Sequence, residues 1–178
     1  MLKPSDTLTQ AFSQQIGNEM GASMQYVAIA NFFTAETLPE LAKFFYRQAD
    51  EERTHAMKFV RFLLDVGAYP EIPAIQAPKN VFESAEECVT LSVEWEETVT
   101  EQIYGLVDLA KGENHYVALR FLDWFVTEQL EEVSSMRDLL ATVRRAGTAG
   151  LLHVEDYLAR NGGRIPTVPM GLEERGEA

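Results

Sequence analysis

The stretch Gln48-Ala49-Asp50-Glu51-Glu52-Arg53-Thr54-His55-Ala56 sets a glutamate and a histidine three positions apart, at Glu52 and His55. On a helix, residues at i and i+3 share a face one turn apart, so the two side chains point the same way. Glu19 lies 33 positions before Glu52, and the same interval separates Glu96 from Gln129, which Glu132 follows by three. The chain therefore carries one pattern twice: a lone carboxylate, then a pair of ligand-type residues at i, i+3. An offset of 77 positions relates the halves and also aligns Lys43-Phe44 with Arg120-Phe121 and Glu51 with Glu128. Folding the halves together would gather six polar groups in one core, which is how a carboxylate-bridged two-metal site is built.

Four long segments of helical period carry these residues, and strand-like alternation is nearly absent. The periodicity predicts helices over about Ser5–Ala35, Pro39–Val66, Ser84–Lys111 and His115–Ala146, with a short fifth over about Leu151–Arg160. Thr37-Leu38-Pro39-Glu40 and Ser84…Glu87 both read as capping boxes at helix starts. Between the second and third helices lie residues 67–83, broken by Gly67, Pro70, Pro73 and Pro78. Such a segment, fully extended, reaches roughly 56 Å, enough to run the length of a bundle. A crossover of that kind makes helices two and three parallel. The predicted fold is all-α: a four-helix bundle with one long crossover and a short fifth helix.

Glu19, Glu52, His55, Glu96, Gln129 and Glu132 all fall on stripes flanked one turn either side by apolar residues, whereas Glu94, Glu97 and Glu101 fall on the opposite face. Burying several carboxylates together costs several kcal/mol per ion unless something compensates. A salt-bridged polar layer is the plain alternative, but no lysine or arginine occupies these stripe positions. Bound cations turn the repulsion into coordination. A carboxylate-rich set with one imidazole suits iron or manganese, with zinc as a competitor. Tyr26 and Trp124 sit near the same layer, where core packing with a hydrogen-bonded polar tip is favoured over a redox role. Glu51, Glu128 and Glu131 adjoin the stripe, and with Glu132 they form either a third, weaker cation site or ordinary acidic surface.

Size and composition bound the rest. With 178 residues and 46% hydrophobic content, the chain is globular and large enough for a real core. No apolar run approaches the ~20 residues of a membrane span, and the N-terminus lacks the pattern of a signal peptide. The lone Cys88 excludes an internal disulfide, and a cytoplasmic location is the natural expectation. A net charge of −13 disfavours nucleic acid and anionic membrane as partners.

Glu19, Tyr26, the stretch Leu38 to Lys43, the stretch Gln48 to Ala56, Val99-Thr100, and the stretch Trp124 to Glu132 together resemble haem-free bacterial ferritin of the actinobacterial type, over about residues 8–160. The resemblance implies a ferritin-like domain over residues 1–163, while the stretch from Arg164, with Pro166, Pro169, polar and charged clusters and no periodicity, is expected to be a mobile tail over 164–178. It implies iron A on Glu19, Glu52 and His55, and iron B on Glu52, Glu96 and Glu132 with Gln129 nearby. It also implies a third iron site on Glu51, Glu128, Glu131 and Glu132. Family members oxidise Fe(II) with O2 or peroxide and store ferric mineral in hollow cages of 24 subunits, whose four-fold channels the fifth helix lines. Bacterioferritins carry a second Glu-x-x-His pair, where this chain has Gln129 and Glu132. They also bind haem through a methionine directly after the bridging glutamate, where this chain has Arg53, so no haem is expected. Rubrerythrins usually add a cysteine-rich domain, which one cysteine cannot supply. A di-metal enzyme acting on oxygen or peroxide, rubrerythrin-like or bacterioferritin-like, is the alternative function on the same bundle.

Overall fold

Ser5 opens the first helix by accepting the Leu8 N–H on its Oγ at 3.0 Å, which satisfies one of the amide donors that a helix start leaves free. In the computed structural model, which describes residues 3–163 and 165, the elements are α1 (Asp6–Ala35), α2 (Pro39–Asp65), α3 (Ala85–Gly112), α4 (Tyr116–Ala146), a single 3₁₀ turn (Thr148–Gly150) and α5 (Leu151–Arg160). The five predicted helices are all present, and their ends differ from the expected ones by a residue at most.

The core is split in two. One cluster packs Leu8, Phe12, Phe59, Phe62, Ile103 and Phe125, and the other packs Tyr26, Phe33, Phe45, Val89, Met136 and Leu139. Along α1 the chain passes from the first cluster to the second, along α2 and α3 from second to first, and along α4 back again. Helices α2 and α3 are therefore parallel, as the long crossover requires. In every helix the switch between clusters falls at the polar stripe residues. The bundle thus has two aromatic ends and a carboxylate-rich waist.

The crossover over residues 67–83 holds no regular element and lies along α1. The Gln25 amide pairs with the Lys79 backbone in both directions, at 3.0 and 2.8 Å. Ser13 Oγ accepts the Glu71 N–H at 3.1 Å. A Cβ on Gly17 would lie 2.4 Å from Pro73 Cγ, so only glycine admits the crossover at that height.

One expected cap takes a different form. Thr37 adopts a left-handed φ of 61°, and the N-cap of α2 is Leu38, which makes no side-chain cap bond. Instead, Glu155 of α5 accepts the Glu40 and Leu41 N–H groups on its two carboxylate oxygens, each at 2.8 Å. The tight turn into Pro39 carries Thr37 away from the helix start, and a residue 115 positions distant fills the gap. At Ser84 the local cap forms, its Oγ accepting the Glu87 N–H at 3.1 Å. Ile165, within the stretch expected to be a mobile tail, is buried in the second cluster; the rest of that expectation lies outside the described residues. Cys88 is fully buried, and burial pushes its thiol up to about 12. Among the described residues, no helix is long and apolar enough to cross a membrane.

Candidate metal centre

At the waist of the bundle, Glu19 from α1, Glu52 and His55 from α2, Glu96 from α3, and Gln129 and Glu132 from α4 are all buried, and Glu19, Glu52 and Glu96 have no exposed surface at all. The i, i+3 spacing does its expected work: His55 Nδ1 lies 3.5 Å from Glu52 Oε2. Ligand atoms of Glu19, Glu52 and His55 come within 4.8 Å of one another. The Glu52, Glu96 and Glu132 carboxylates converge less closely. Tyr26 donates its hydroxyl to Glu96, and Gln48 donates to Glu132 Oε2 at 3.1 Å.

Of six buried side-chain polar atoms that make no hydrogen bond among the described residues, five belong to this cluster: Glu19 Oε2, both Glu52 oxygens, His55 Nδ1 and Glu96 Oε2. Orphaned buried polar atoms are rare and costly in folded proteins. Their concentration on four side chains aimed at one space fits a cation-binding set. Among the described residues, no lysine or arginine forms an ion pair with Glu19, Glu52, Glu96 or Glu132.

The electrostatics follow from that isolation. Burial raises Glu19, and it raises Glu52 well above the ordinary carboxyl range, with the Glu96 and Glu19 charges adding to the effect. Burial pushes Glu96 up to about 7 and raises Glu132 well above its ordinary value. His55 is lowered to about 4, by burial first and then by the Lys58 charge. The Glu52–His55 contact is therefore not an ion pair at neutral pH. The imidazole is neutral, with a lone pair available for a metal, and burial shifts the carboxyls toward their protonated form, a shift that a bound cation would reverse.

Glu51, Glu128, Glu131 and Glu132 line a cavity of about 470 Å³ together with Arg47 and Gln48. Gln48 joins this cavity to the waist by donating to Glu51 at 2.7 Å as well as to Glu132. His55 Nε2 lies 3.9 Å from Glu128 Oε1, and His55, Glu128 and Glu132 form a second group with ligand atoms within 4.8 Å of one another. Sequence spacing gives Glu132 as the one shared residue, whereas the fold makes His55 a second.

Trp124 departs from expectation. It is 39% exposed rather than packed in the core, edge-on to His55 with ring centroids 5.4 Å apart, and it carries Lys58 Nζ over its face. Tyr26 is buried with its hydroxyl bonded to a carboxylate, as the packing alternative anticipates. Two supporting residues escaped the spacing argument. Gln15 donates to Glu19 Oε1 at 2.9 Å, and Thr100 donates to Gln129 Oε1 at 3.0 Å. Their signal was their placement four residues before Glu19 and four residues after Glu96.

The ferritin-like domain family matches residues 9–146. Ferritin BfrB of Mycolicibacterium smegmatis is 45% identical over 168 residues, spanning 92% of this chain and 92% of that protein. A bacterial non-heme ferritin of Staphylococcus aureus is 35% identical over 143 residues, spanning 80% of this chain and 86% of its own length. In three dimensions the chain is similar to an open pore ferritin from the hyperthermophilic archaeon Archaeoglobus fulgidus, with a TM-score of 0.86 and 28% identity over 89% of this chain and 98% of the other. A four-helix bundle with a buried carboxylate waist, matched in sequence over most of its length, makes this chain a member of the ferritin family.

Proposed function

We propose that the protein stores iron as a ferroxidase: it oxidises Fe(II) at a di-iron centre within each subunit and keeps the ferric product in a 24-subunit cage. The observation that carries this reading is the set of five orphaned buried atoms on Glu19, Glu52, His55 and Glu96. One Fe(II) would be held by Glu19, Glu52 and His55, and a second by Glu52, Glu96 and Glu132 with Gln129 alongside. Each Fe(II) gives up one electron. Dioxygen takes two electrons and two protons and leaves as hydrogen peroxide, or hydrogen peroxide takes two of each and leaves as two waters.

The chain's residues contribute charge, proton release and shape. The buried carboxyls lose their protons as cations enter, and their summed negative charge favours the ferric product over the ferrous substrate. Glu51, Glu128, Glu131 and Glu132 would form a third iron site, weaker because Glu131 is exposed and Glu51 and Glu128 are only half-buried.

Size-exclusion of the purified protein, followed by anaerobic Fe(II) addition and then air, tests the proposal. A very large particle that turns amber and retains iron is the expected result. A single-subunit species, or iron that precipitates outside the protein, would overturn it.

A further inference from the structure

Gln15 stands one turn before Glu19 on α1, is 2% exposed, and donates its Nε2–H to Glu19 Oε1 at 2.9 Å. Once Glu19 is ionised to hold a metal its carboxylate only accepts, so the amide nitrogen is the end that faces it. The other end of Gln15 is held too. Its Oε1 accepts from Asn18 Nδ2 at 3.0 Å, and the same Nδ2 donates across to Gln102 Oε1 on α3, also at 3.0 Å. Asn18 Oδ1 accepts in turn from Gln14 at 3.2 Å. Both Asn18 amide hydrogens are used, so the chain of side-chain amides has one self-consistent orientation. It ends on one oxygen of Glu19 and leaves the other, Oε2, buried without a hydrogen bond.

We propose that Gln15 is a positioning residue: it occupies Glu19 Oε1 so that Glu19 offers a metal one oxygen rather than two, and Asn18 holds Gln15 in that orientation. The proposal rests on the di-iron reading above. Partners behind a ligand fix its geometry and tune its donor strength. A neutral amide suits the task better than a lysine or arginine, because a cation there would compete with the metal for the carboxylate. Holding Glu19 to one oxygen also leaves a coordination position on that metal open for a small oxidant.

Anaerobic Co(II) titration of the assembled protein tests this, because visible Co(II) absorption weakens as coordination number rises. Gln15→Met removes the donor with little change of shape. Its tighter Co(II) site should weaken by roughly 10-fold, with a fainter visible band as Glu19 chelates through both oxygens. Gln102→Leu cuts the bridge to α3 but keeps the Gln15–Glu19 bond, so it sets the size of a purely structural effect. The proposal is overturned by a Gln15→Met isotherm and spectrum equal to the parent's, or by changes no larger than those of Gln102→Leu. Should Gln15→Met not fold, Asn18→Ala unlocks the Gln15 amide without removing it. The same band change with a smaller affinity loss is then expected, and an unchanged spectrum overturns the idea. A parent protein that binds no Co(II) pair would instead sink the di-iron reading itself.

Discussion

His55 turns its Nε2 toward Glu128 Oε1 at 3.9 Å while its Nδ1 stays on the side of Glu52. One imidazole therefore separates the buried waist from the half-exposed acidic cavity. If the cavity serves iron in transit and the waist serves oxidation, changing Glu51, Glu128 and Glu131 together to alanine, with Glu132 kept, should spare the first oxidation burst. The later stage should change, either in oxygen consumed per iron or in recovery of the centre between additions. Stopped-flow oxidation with repeated Fe(II) additions reads both stages. Loss of the burst itself would place the three glutamates in the primary centre, and no change at either stage would make them surface charge.

Glu52 has no exposed surface, and neither carboxylate oxygen finds a hydrogen-bond donor. Glu52→Ala should abolish rapid Fe(II) oxidation, because both proposed iron positions lose a shared ligand. The metal-free variant should fold and melt no lower than the parent, since it removes a buried polar group whose two oxygens find no hydrogen-bond partner. Oxidation at the parent rate would refute Glu52 as the bridging residue.

Much of this site was legible because helical periodicity is local. Glu19, Glu52, His55, Glu96, Gln129 and Glu132 sit on apolar stripes, and a stripe position in a four-helix bundle is buried whatever the neighbouring helix supplies. Contacts between helices were not legible. Nothing at Glu155 marks it as the cap of a helix that begins 116 positions earlier, and the edge-on placement of Trp124 beside His55 depends on how α2 and α4 rotate against each other. The Thr37 capping box failed for a related reason: the motif assumes a standard entry to the helix, and the left-handed residue before Leu38-Pro39 provides a different one.

The waist should make the metal-free protein sensitive to alkali. Glu96 is raised to about 7, and Glu19, Glu52 and Glu132 are raised as well, so the folded state keeps protons that the unfolded chain has already lost by about pH 5. Stability from these groups is full below the unfolded carboxyl range and falls as pH rises through the folded values. His55, lowered to about 4, works the other way, but its contribution is complete above about pH 6.5. Between about pH 6.5 and 8 only the carboxyls act. The melting temperature of metal-free protein should fall across that window, and saturating Co(II) should flatten the slope. A melting temperature that rises with pH there would contradict the assigned protonation.

Arg53 is exposed and directly follows Glu52, where a thioether would be needed to hold haem between two subunits. Protein purified from haem-supplemented cells should show no Soret band. A band matching one haem per pair of subunits would disprove the haem-free assignment.

Glu155 ties the last helix to the bundle through two amides at the start of α2, and Arg47 adds a bond to the Gly163 carbonyl at 2.6 Å just beyond α5. The Glu155 side chain is buried at 8% exposure, and Leu38-Pro39 supplies no local cap to replace it. Glu155→Ala leaves two helix-start donors without an acceptor, a change that costs about 1–2 kcal/mol. The loss should be local first. Hydrogen exchange at the Glu40 and Leu41 amides should accelerate by roughly 5- to 30-fold, the factor that corresponds to that energy, while amides at the waist keep their protection. Because α5 would lose one of its ties to the bundle, the fraction of protein in the proposed cage should also drop on size-exclusion, with the helical signal little changed. Unaltered exchange at Glu40 and Leu41 would mean that another group caps α2 and that Glu155 does not protect these amides.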